Sequence, residues 1–373
     1  MTVDQLRAKV EAGHLPQVNR THYINNHIHT THSFSPYTPA AAVYTAWING
    51  LATAGIMDHD TTSGAREFLE AGRLLDMPVT VGVECRVDMS RTPFVGRRIN
   101  NPDQDSCAYV AMHCIPHQHI EAVDEWFAPY RAARNVRNRA MCENINKIVP
   151  DYLAIDFDRD VLPLSVSAVT ERHILFALAK KITAAYKTPD EVLYCLKEVL
   201  GLEVSPRVER NIKGGLDTPE FYEYDILGVL KSSLVEKFYI DATDELPDVT
   251  DFLDMVHRFD GIAAYAYLGD VGDSVTGDKK AQKFEDDYLD SLMETLKELG
   301  FDAVTYMPTR NTEAQLDRVM ELCEKYGFMQ ISGEDINSPR QSFVCRAYDN
   351  PKFKHLIDAA FALIEREKRL SVC

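Results

Sequence analysis

Residues 23–35 read YINNHIHTTHSFS, and this stretch decides how the fold of the whole chain is interpreted. On a β-strand, side chains at positions i and i+2 point to the same face. His27 and His29 therefore present two imidazoles on one face, where a strand gives way to a Thr/Ser-rich loop. Two such imidazoles form half of a metal site, but a solvated strand end also carries this pattern by chance. Ligand-type residues at the ends of later strands favour the metal site.

The next three predicted strands also end in residues that bind metals. They cover 55–57, 77–83 and 107–112, and they are followed in turn by Asp58-His59-Asp60, Glu84 and His113. The segments between them predict helices, including one that Thr38 caps and that runs to Ala54. Alternating strands and helices with polar strand ends indicate a parallel sheet or barrel whose active site lies at the carboxyl-terminal rim. We therefore expect these side chains to converge at that rim.

Residues 117–236 differ in character, because helical patterns dominate and strand signals are scarce. We expect a mainly helical insertion here, with the barrel formed by 1–116 and 237–373. Alternation of strands and helices then resumes with a short strand or lead-in over 238–241. Strands are predicted over 261–267, 301–306 and 327–332, and a loop through Asp278 follows the first of them. Helices are predicted over 283–299, 312–326 and 351–368. The last strand leads into Asp335, a further candidate ligand at the same rim.

Candidate groups for substrate binding lie in the insertion and near the carboxyl terminus. Arg134 and Arg137 stand near helical spacing, so they either form a solvated helix face or lean over the rim to bind an anion. His173 begins a helix and either meets the substrate or is a structural, partly buried histidine. Arg340 follows Asp335 closely and either reaches the rim or lies on the surface. The candidates for proton transfer are Asp58, His59 and Asp60.

Composition and charge are those of a globular enzyme. The 373 residues are 45% hydrophobic and 26% charged, with a net charge of −17. This charge disfavours a nucleic-acid polymer as a partner, whereas a small phosphorylated substrate stays compatible because a metal and a few arginines reverse the field locally. No apolar run reaches the roughly 18 residues of a membrane span. Eight scattered cysteines without a CxxC pair predict reduced thiols in a cytoplasmic protein, and the oligomeric state stays open.

The candidate metal ligands combine imidazoles with carboxylates. They are His27, His29, His59, Glu84, His113 and Asp335. This set suits Zn, Mn or Fe(II) better than Ca or Mg. Glu84, placed between two histidine groups, is a natural bridging ligand for two metals, which together would activate water and stabilise charge on phosphoryl oxygens. Such chemistry hydrolyses a phosphate ester, and it would suit an amide or a lactone as well.

These motifs together resemble the polymerase-and-histidinol-phosphatase (PHP) superfamily. The resemblance covers roughly residues 20–115 and 237–345, and it is carried by His27-x-His29, Asp58-His59-Asp60, Gly82-Val83-Glu84, His113 and Gly333-Glu334-Asp335. The insertion, with RNVRN over 134–138 and TERHI over 170–174, resembles stand-alone phosphoesterases of this superfamily that act on nucleotides. The resemblance implies a distorted seven-stranded (β/α) barrel, up to three metals at the rim, and hydrolysis of phosphomonoesters or small phosphodiesters.

The chain departs from the three-metal members at three places. The loop over 30–35 carries no acid, Tyr267 stands where a His-Pro is expected, and Asp335-Ile336-Asn337 replaces Asp-x-His. We therefore expect one or two divalent transition metals and no third. The first would lie on His27, His29, Glu84 and Asp335. Whether Tyr267, His32, His173 or Asn337 completes the metal shell stays open.

Three functions compete on this basis. The leading one is a metal-dependent hydrolase of small phosphate esters that uses metal-activated water. The second is a hydrolase of the same geometry that acts on a carbon–nitrogen or carbon–oxygen ester bond. The third is a degenerate PHP barrel that serves as a binding module. Missing ligands favour the third function, whereas the four intact ligands of the first metal disfavour it, because such residues are costly to bury as plain structure.

Overall fold

The computed structural model describes residues 1–271 and 282–371, and seven β-strands in these ranges form one sheet. The strands are β1 (Ile24–Ile28), β2 (Thr53–His59), β3 (Val79–Asp88), β4 (Cys107–His113), β5 (Ile262–Ala266), β6 (Ala303–Tyr306) and β7 (Met329–Ser332). Their order across the sheet is their order along the chain. The alternation of strands and helices therefore builds a TIM-like barrel, as the sequence predicts at this level of detail.

The segment that follows β7 returns to β1 and nearly closes the barrel. The His29 N–H donates to the Ile336 carbonyl at 2.9 Å, and the Ile336 N–H donates to the His27 carbonyl at 3.0 Å. This parallel bridge pairs Ile336 with Ile28, and both side chains lie in the same hydrophobic cluster. Residues on either side of a paired residue point to the opposite face. Closing the barrel therefore places Asp335 on the inward face beside His27 and His29.

Strand β4 runs opposite to its neighbours, so the expectation of an all-parallel sheet is wrong for this strand. The β3–β4 and β4–β5 pairs are antiparallel, and the remaining pairs are parallel. Residues 89–106, which connect β3 to β4, contain no helix. A connection without a crossover helix returns the next strand antiparallel. The carboxyl end of β4 therefore points away from the rim at which β1, β2 and β3 end.

The α-helices cover the outside of the sheet and build the insertion. They are α1 (Val3–Glu11), α2 (Pro39–Ile48), α3 (Ala65–Leu74), α4 (Ile120–Asn146), α5 (Glu171–Ala185), α6 (Pro189–Tyr194), α7 (Pro206–Lys213), α8 (Pro219–Phe238), α9 (Val249–Arg258), α10 (Leu289–Leu299), α11 (Glu313–Tyr326) and α12 (Lys354–Leu370). The Thr38 hydroxyl caps α2, as predicted, by accepting the Ala41 N–H at 3.1 Å. Helix α2 ends before the predicted Ala54, because Gly50 adopts a φ of 76° and breaks it.

Three further element boundaries differ from the sequence expectation. The predicted strand over 77–83 does not end before Glu84, because β3 continues to Asp88 and its second half pairs with β4. The helix predicted over 283–299 begins only at α10, because the Glu285 and Asp286 carboxylates bind backbone N–H groups of Leu268 and Asp270 at 2.8 and 3.0 Å. Residues 239–241 form no strand and are the lead-in that follows α8. The predicted loop through Asp278 extends into residues 272–281, which lie outside the described residues.

The described residues form two large hydrophobic clusters. One unites the outer face of the sheet with the surrounding helices, and it includes Val123 and Phe127 from the first half of α4. The other, from Met141 to Phe238, belongs to the insertion and takes in Phe34 from the loop after β1. Since α4 contributes to both clusters, the division into a barrel (1–116 and 237–373) and an insertion (117–236) stays a prediction.

Helix α12 packs across the end of the barrel that lies opposite the rim. Its Leu363 belongs to a small interior cluster with residues from five strands. Its buried Glu367 accepts hydrogen bonds from the Thr80 hydroxyl at 2.6 Å and the Val81 N–H at 2.9 Å, and its other oxygen lies 3.0 Å from His117 Nε2. This carboxylate therefore ties the carboxyl-terminal helix to the start of β3.

The remaining global features concern cysteines and membrane spans. Each of the seven cysteines in the described ranges is free and buried, and Cys373 lies outside those ranges. None of the described helices combines the length and the apolar character needed to cross a membrane.

Replacing Glu367 with Ala should lower the free energy of unfolding by about 2–4 kcal/mol, because it leaves the buried Thr80 hydroxyl and Val81 N–H without an acceptor. Urea denaturation followed by circular dichroism measures this change. Glu365→Ala is the matched control on the same helix, since Glu365 is 74% exposed and its one ion pair among the described residues is with Lys368. Equal stability of the two variants would contradict a tethering role for Glu367.

Candidate metal centre

Three predicted ligands meet inside the carboxyl-terminal rim of the barrel. His27, His29 and Glu84 are buried, and each offers a ligand atom within 4.8 Å of the ligand atoms of the other two. Glu84 Oε2 lies 3.6 Å from His27 Nε2 and 3.8 Å from His29 Nε2. Two donors held at about 2.1 Å by one tetrahedral metal stand roughly 3.4 Å apart. The spacing of the three side chains is therefore close to that of ligands sharing one ion.

Asp335 and His59 extend this trio. Asp335 Oδ1 lies 3.4 Å from His29 Nε2, at the position set by barrel closure. His59 Nδ1 lies 3.1 Å from Glu84 Oε2, and its ring stands 4.6 Å from the ring of His29. Glu84 thus faces three imidazoles, as a carboxylate between two histidine groups would.

The imidazoles of this site differ in protonation. Although burial acts to lower the pKa of His27, the charge of Glu84 raises it above its usual value. Burial lowers the pKa of His29 to about 3 and places the pKa of His59 well below its usual value, so both imidazoles are neutral near pH 7. Neutral imidazole is the form that binds a metal.

A chain of hydrogen bonds through Ser33 to Asp58, called the relay below, orients the His29 ring. His29 Nδ1 lies 3.3 Å from the Ser33 hydroxyl, which donates to Asp58 Oδ1 at 2.6 Å. Asp58 also accepts from the Thr30 N–H and the Thr30 hydroxyl, both at 2.6 Å. The loop over 30–35 has no acidic residue of its own, and Asp58 of β2 provides the carboxylate that accepts its hydrogen bonds. Asp58 is fully buried in these contacts, on the opposite face of β2 from His59.

His113 lies deeper in the barrel than the rim residues, because β4 is antiparallel. Ala111 pairs with Glu84 and Ala264, and His113 pairs with Ile262, two residues further from the rim. Its side chain shares the inward face with Ala111. Burial, together with the charge of His27, lowers its pKa to about 3. Within the described residues, His113 is not a member of the group of converging ligand atoms.

The predicted arginines of α4 belong to a buried charge network. Arg134 pairs with Asp60 and with Glu245, and Arg137 Nε lies 2.5 Å from Glu245 Oε2. Arg86 of β3 pairs with the same glutamate. Although burial alone would raise the pKa of Glu245, the three guanidinium groups hold it below its usual value. Asp60, which the sequence predicts to transfer protons, thus pairs with Arg134. Both predicted substrate-binding arginines pair with Glu245, so the network joins the barrel and the insertion.

His173 and His32 connect the loop after β1 to the insertion. His173 is buried, its Nδ1 accepts the Thr170 N–H at 3.0 Å, and its ring meets Phe34 edge-on at 5.0 Å. His32 Nδ1 lies 2.8 Å from the Ser167 hydroxyl. The structure therefore places both histidines in docking contacts between the two parts of the molecule.

Three other predicted residues also have defined partners. Arg340 donates two hydrogen bonds to Asp225, each at 2.6 Å, so its charge is compensated. The Tyr267 hydroxyl donates to Asp286 at 2.7 Å. The Asn337 amide nitrogen donates to both oxygens of Asp335, at 2.8 and 2.7 Å. Of these three residues, Asn337 alone contacts a predicted metal ligand in the hydrogen bonds of the described residues.

Two cations near the centre were not among the residues selected from the sequence. Arg172, the second residue of α5, donates from Nη1 to Asn337 Oδ1 at 2.6 Å. Its charge also lowers the pKa of His29 and of His59. Burial lowers the pKa of Lys231 of α8, the charge of Arg172 lowers it further, and Asp335 acts in the opposite direction. Arg172 adjoins His173 in the TERHI stretch and could have been selected, whereas nothing in the sequence around Lys231 distinguishes it from a surface lysine.

Comparison with known proteins identifies two solved structures with the same fold. One is a candidate metal-dependent phosphoesterase from Bifidobacterium adolescentis, with 20% identity and a TM-score of 0.59 over 95% of this chain and 99% of that one. The other is an amidohydrolase from Chromobacterium violaceum, with bound sulfate and no metal, 15% identity and a TM-score of 0.56 over 90% and 96%. No protein-family model matches the sequence, and no curated protein is significantly similar. At these identities the likeness establishes the architecture alone, which is that of TIM-like barrel enzymes.

Proposed function

We propose that the protein is a metal-dependent hydrolase of small phosphate esters, of the stand-alone PHP type. The observation that carries this proposal is the buried group of His27, His29 and Glu84 at the carboxyl-terminal rim. In barrels of parallel strands and helices this rim is where active sites lie. Together with Asp335, these side chains would hold the first divalent transition metal, Zn, Mn or Fe(II). Glu84 would be the ligand shared with a second metal, with His113 or His59 as its further imidazole, and we expect no third.

A bound metal of this kind supplies Lewis-acid chemistry, which activates water and stabilises negative charge on phosphoryl oxygens. The chain's own residues have separate tasks. Asn337 holds the Asp335 carboxylate through two hydrogen bonds and keeps it directed at His29. His59, whose side chain is 22% exposed, is the more open of the imidazoles around Glu84 and is our candidate for moving a proton at the reacting centre.

The choice of phosphate over another ester rests on charge. Arg172 lies next to the proposed metal ligands, and a cation there favours a substrate that carries negative charge. The proposal also draws on the likeness in fold to the candidate phosphoesterase. A small phosphorylated molecule is the proposed partner.

The likeness to the amidohydrolase favours a second candidate function. The same metal ligands would support hydrolysis of a carbon–nitrogen or carbon–oxygen ester bond, because Lewis-acid activation of water does not depend on phosphorus. The two candidates differ in what they require of the substrate: only the first needs an anionic group at the reacting centre.

Protein purified without chelator should contain at least one transition metal per chain, and His29→Ala should lose both the metal and the activity. Inductively coupled plasma mass spectrometry measures the metal content. His14→Ala is the control, because His14 is exposed and is not a member of the cluster. Wild-type protein without any metal would remove both hydrolase candidates, and an active His29→Ala variant would show that the site is wrongly assigned.

Ser33→Ala should weaken metal binding by about 10- to 100-fold, because it interrupts the relay that orients His29 through Asp58. Competition with a fluorescent chelator measures the metal affinity. Ser35→Ala serves as the matched control, since Ser35 lies in the same loop and accepts only the Tyr37 N–H. If both variants retain wild-type affinity, the relay does not orient His29.

An assay panel separates the two hydrolase candidates. With added Mn, p-nitrophenyl phosphate and nucleoside monophosphates should turn over at least tenfold faster than p-nitrophenyl acetate and simple amides. Release of p-nitrophenol or orthophosphate is followed in wild-type protein, with His29→Ala as the blank. Turnover confined to the acyl substrates would establish the second candidate in place of the first.

A further inference from the structure

Backbone hydrogen bonds to the loop after β1 hold the start of α5 at the rim of the barrel. The Val166 N–H donates to the Thr31 carbonyl at 3.1 Å, and the Ala168 N–H donates to the His32 carbonyl at 2.8 Å. Both donors lie shortly before α5, so these bonds determine where the helix begins. Arg172, the second residue of α5, is therefore placed by contacts that do not depend on its own side chain.

Two successive side-chain contacts lead from Arg172 to a proposed metal ligand. Arg172 Nη1 donates to Asn337 Oδ1 at 2.6 Å, and Asn337 Nδ2 donates to Asp335 Oδ1 and Oδ2 at 2.8 and 2.7 Å. Asp335 Oδ1 in turn lies 3.4 Å from His29 Nε2. Asn337 is buried and Arg172 is partly buried, so these hydrogen bonds lie largely away from water, where such bonds are stronger.

The two partners of Asn337 permit only one orientation of its amide group. A guanidinium carries donors and no acceptor, so Arg172 must face the oxygen Oδ1, whereas an ionised carboxylate carries acceptors and no donor, so Asp335 must face Nδ2. Turning the amide by half a rotation would make both contacts repulsive. Arg172 thus fixes the amide in the orientation that donates to Asp335, and it occupies the oxygen that the amide would otherwise offer to a metal.

The backbone around Asn337 is fixed independently of Arg172. The Asn337 N–H donates to Gln341 Oε1 at 2.7 Å, and the Ser338 N–H donates to the same oxygen at 2.8 Å. The preceding residue, Ile336, is hydrogen-bonded to β1 through its N–H and its carbonyl. The remaining freedom at position 337 is therefore that of the side chain, which is the part that Arg172 contacts.

We propose that Arg172 is a positioning residue of the metal centre, which fixes the amide of Asn337 and thereby directs the Asp335 carboxylate towards His29. This inference rests on the proposed function, because it takes Asp335 as a metal ligand. Removal of a group that orients a metal ligand typically changes metal affinity by about 10- to 100-fold. The helical insertion supplies none of the proposed ligands, and it contributes to the metal centre through this arginine.

The charge of Arg172 affects the same centre in the opposite sense. Besides burial, which is the main cause, this charge contributes to lowering the pKa of His29 and of His59. A positive charge that disfavours a proton on these imidazoles also repels a divalent cation. Removing Arg172 therefore removes a repulsion together with a hydrogen bond, and a test of the positioning role has to separate the two effects.

A double-mutant cycle on the full-length protein separates them. Arg172→Met is introduced into wild-type protein and into Asn337→Leu, and competition with a fluorescent chelator measures the affinity of all four proteins for Zn. In wild-type protein the substitution removes both the charge and the hydrogen bond, whereas in Asn337→Leu it removes the charge alone. We expect Arg172→Met to be more damaging to metal affinity in wild-type protein than in Asn337→Leu, by about tenfold.

Lys180→Met in the same two backgrounds is the control, since Lys180 lies on α5 but is exposed and paired with Glu223. It should have the same small effect in both backgrounds. Equal effects of Arg172→Met in the two backgrounds would overturn the proposal. If Arg172→Met folds poorly, Arg172→Ala replaces it, because alanine has the highest helix propensity.

The cycle needs no turnover, so its result is separate from that of the assay panel. Coupling between Arg172 and Asn337 in a protein that hydrolyses no phosphate ester would contradict the proposed function and leave the positioning role standing. Turnover of phosphate esters without this coupling would have the opposite meaning. Wild-type protein that binds no metal would remove both.

Discussion

The site depends on the two hydrogen bonds that close the barrel. They join the backbone of His27 and His29 to Ile336, and they are possible because the chain after β7 runs alongside β1. The same pairing buries Ile28 and Ile336 outward and turns their neighbours inward. Residues more than 300 positions apart in the sequence therefore become neighbours in the proposed metal site. Barrel closure and the proposed metal centre depend on the same two backbone hydrogen bonds.

The loop after β1 shows how an insertion is fitted onto such a barrel. Residues 30–34 contain no acid, and the carboxylate they need comes from Asp58 on the neighbouring strand. The loop itself contacts the insertion. The Phe34 ring packs in the hydrophobic cluster of the insertion, and His32 Nδ1 lies within hydrogen-bond distance of the Ser167 hydroxyl. The departure from the PHP pattern is thus where the two parts of the molecule join.

Sequence patterns predicted what depends on local alternation. The seven strands, the Thr38 cap and the convergence of His27, His29 and Glu84 follow from side-chain periodicity and the order of the strands, although Glu84 lies inside β3 and not at its end. The direction of β4 could not be predicted from these patterns, because it follows from the absence of a helix between β3 and β4. The antiparallel direction places His113 deeper in the barrel than the rim residues. The partners of charged residues could not be predicted either: nothing in the sequence around Arg340 indicates Asp225, which lies in α8.

The partners of the arginines determine how this acidic protein could bind an anion. Because the net charge is −17, a cation whose hydrogen-bond donors are not taken by a carboxylate matters more for anion binding than the total number of cations. Most arginines near the centre are bound to buried carboxylates, whereas Arg172 is fixed by the neutral amide of Asn337. That asparagine stands where the PHP pattern has a histidine. The neutral Asn337 holds the Arg172 guanidinium beside Asp335 and His29, so a side chain of the insertion brings positive charge to the proposed centre.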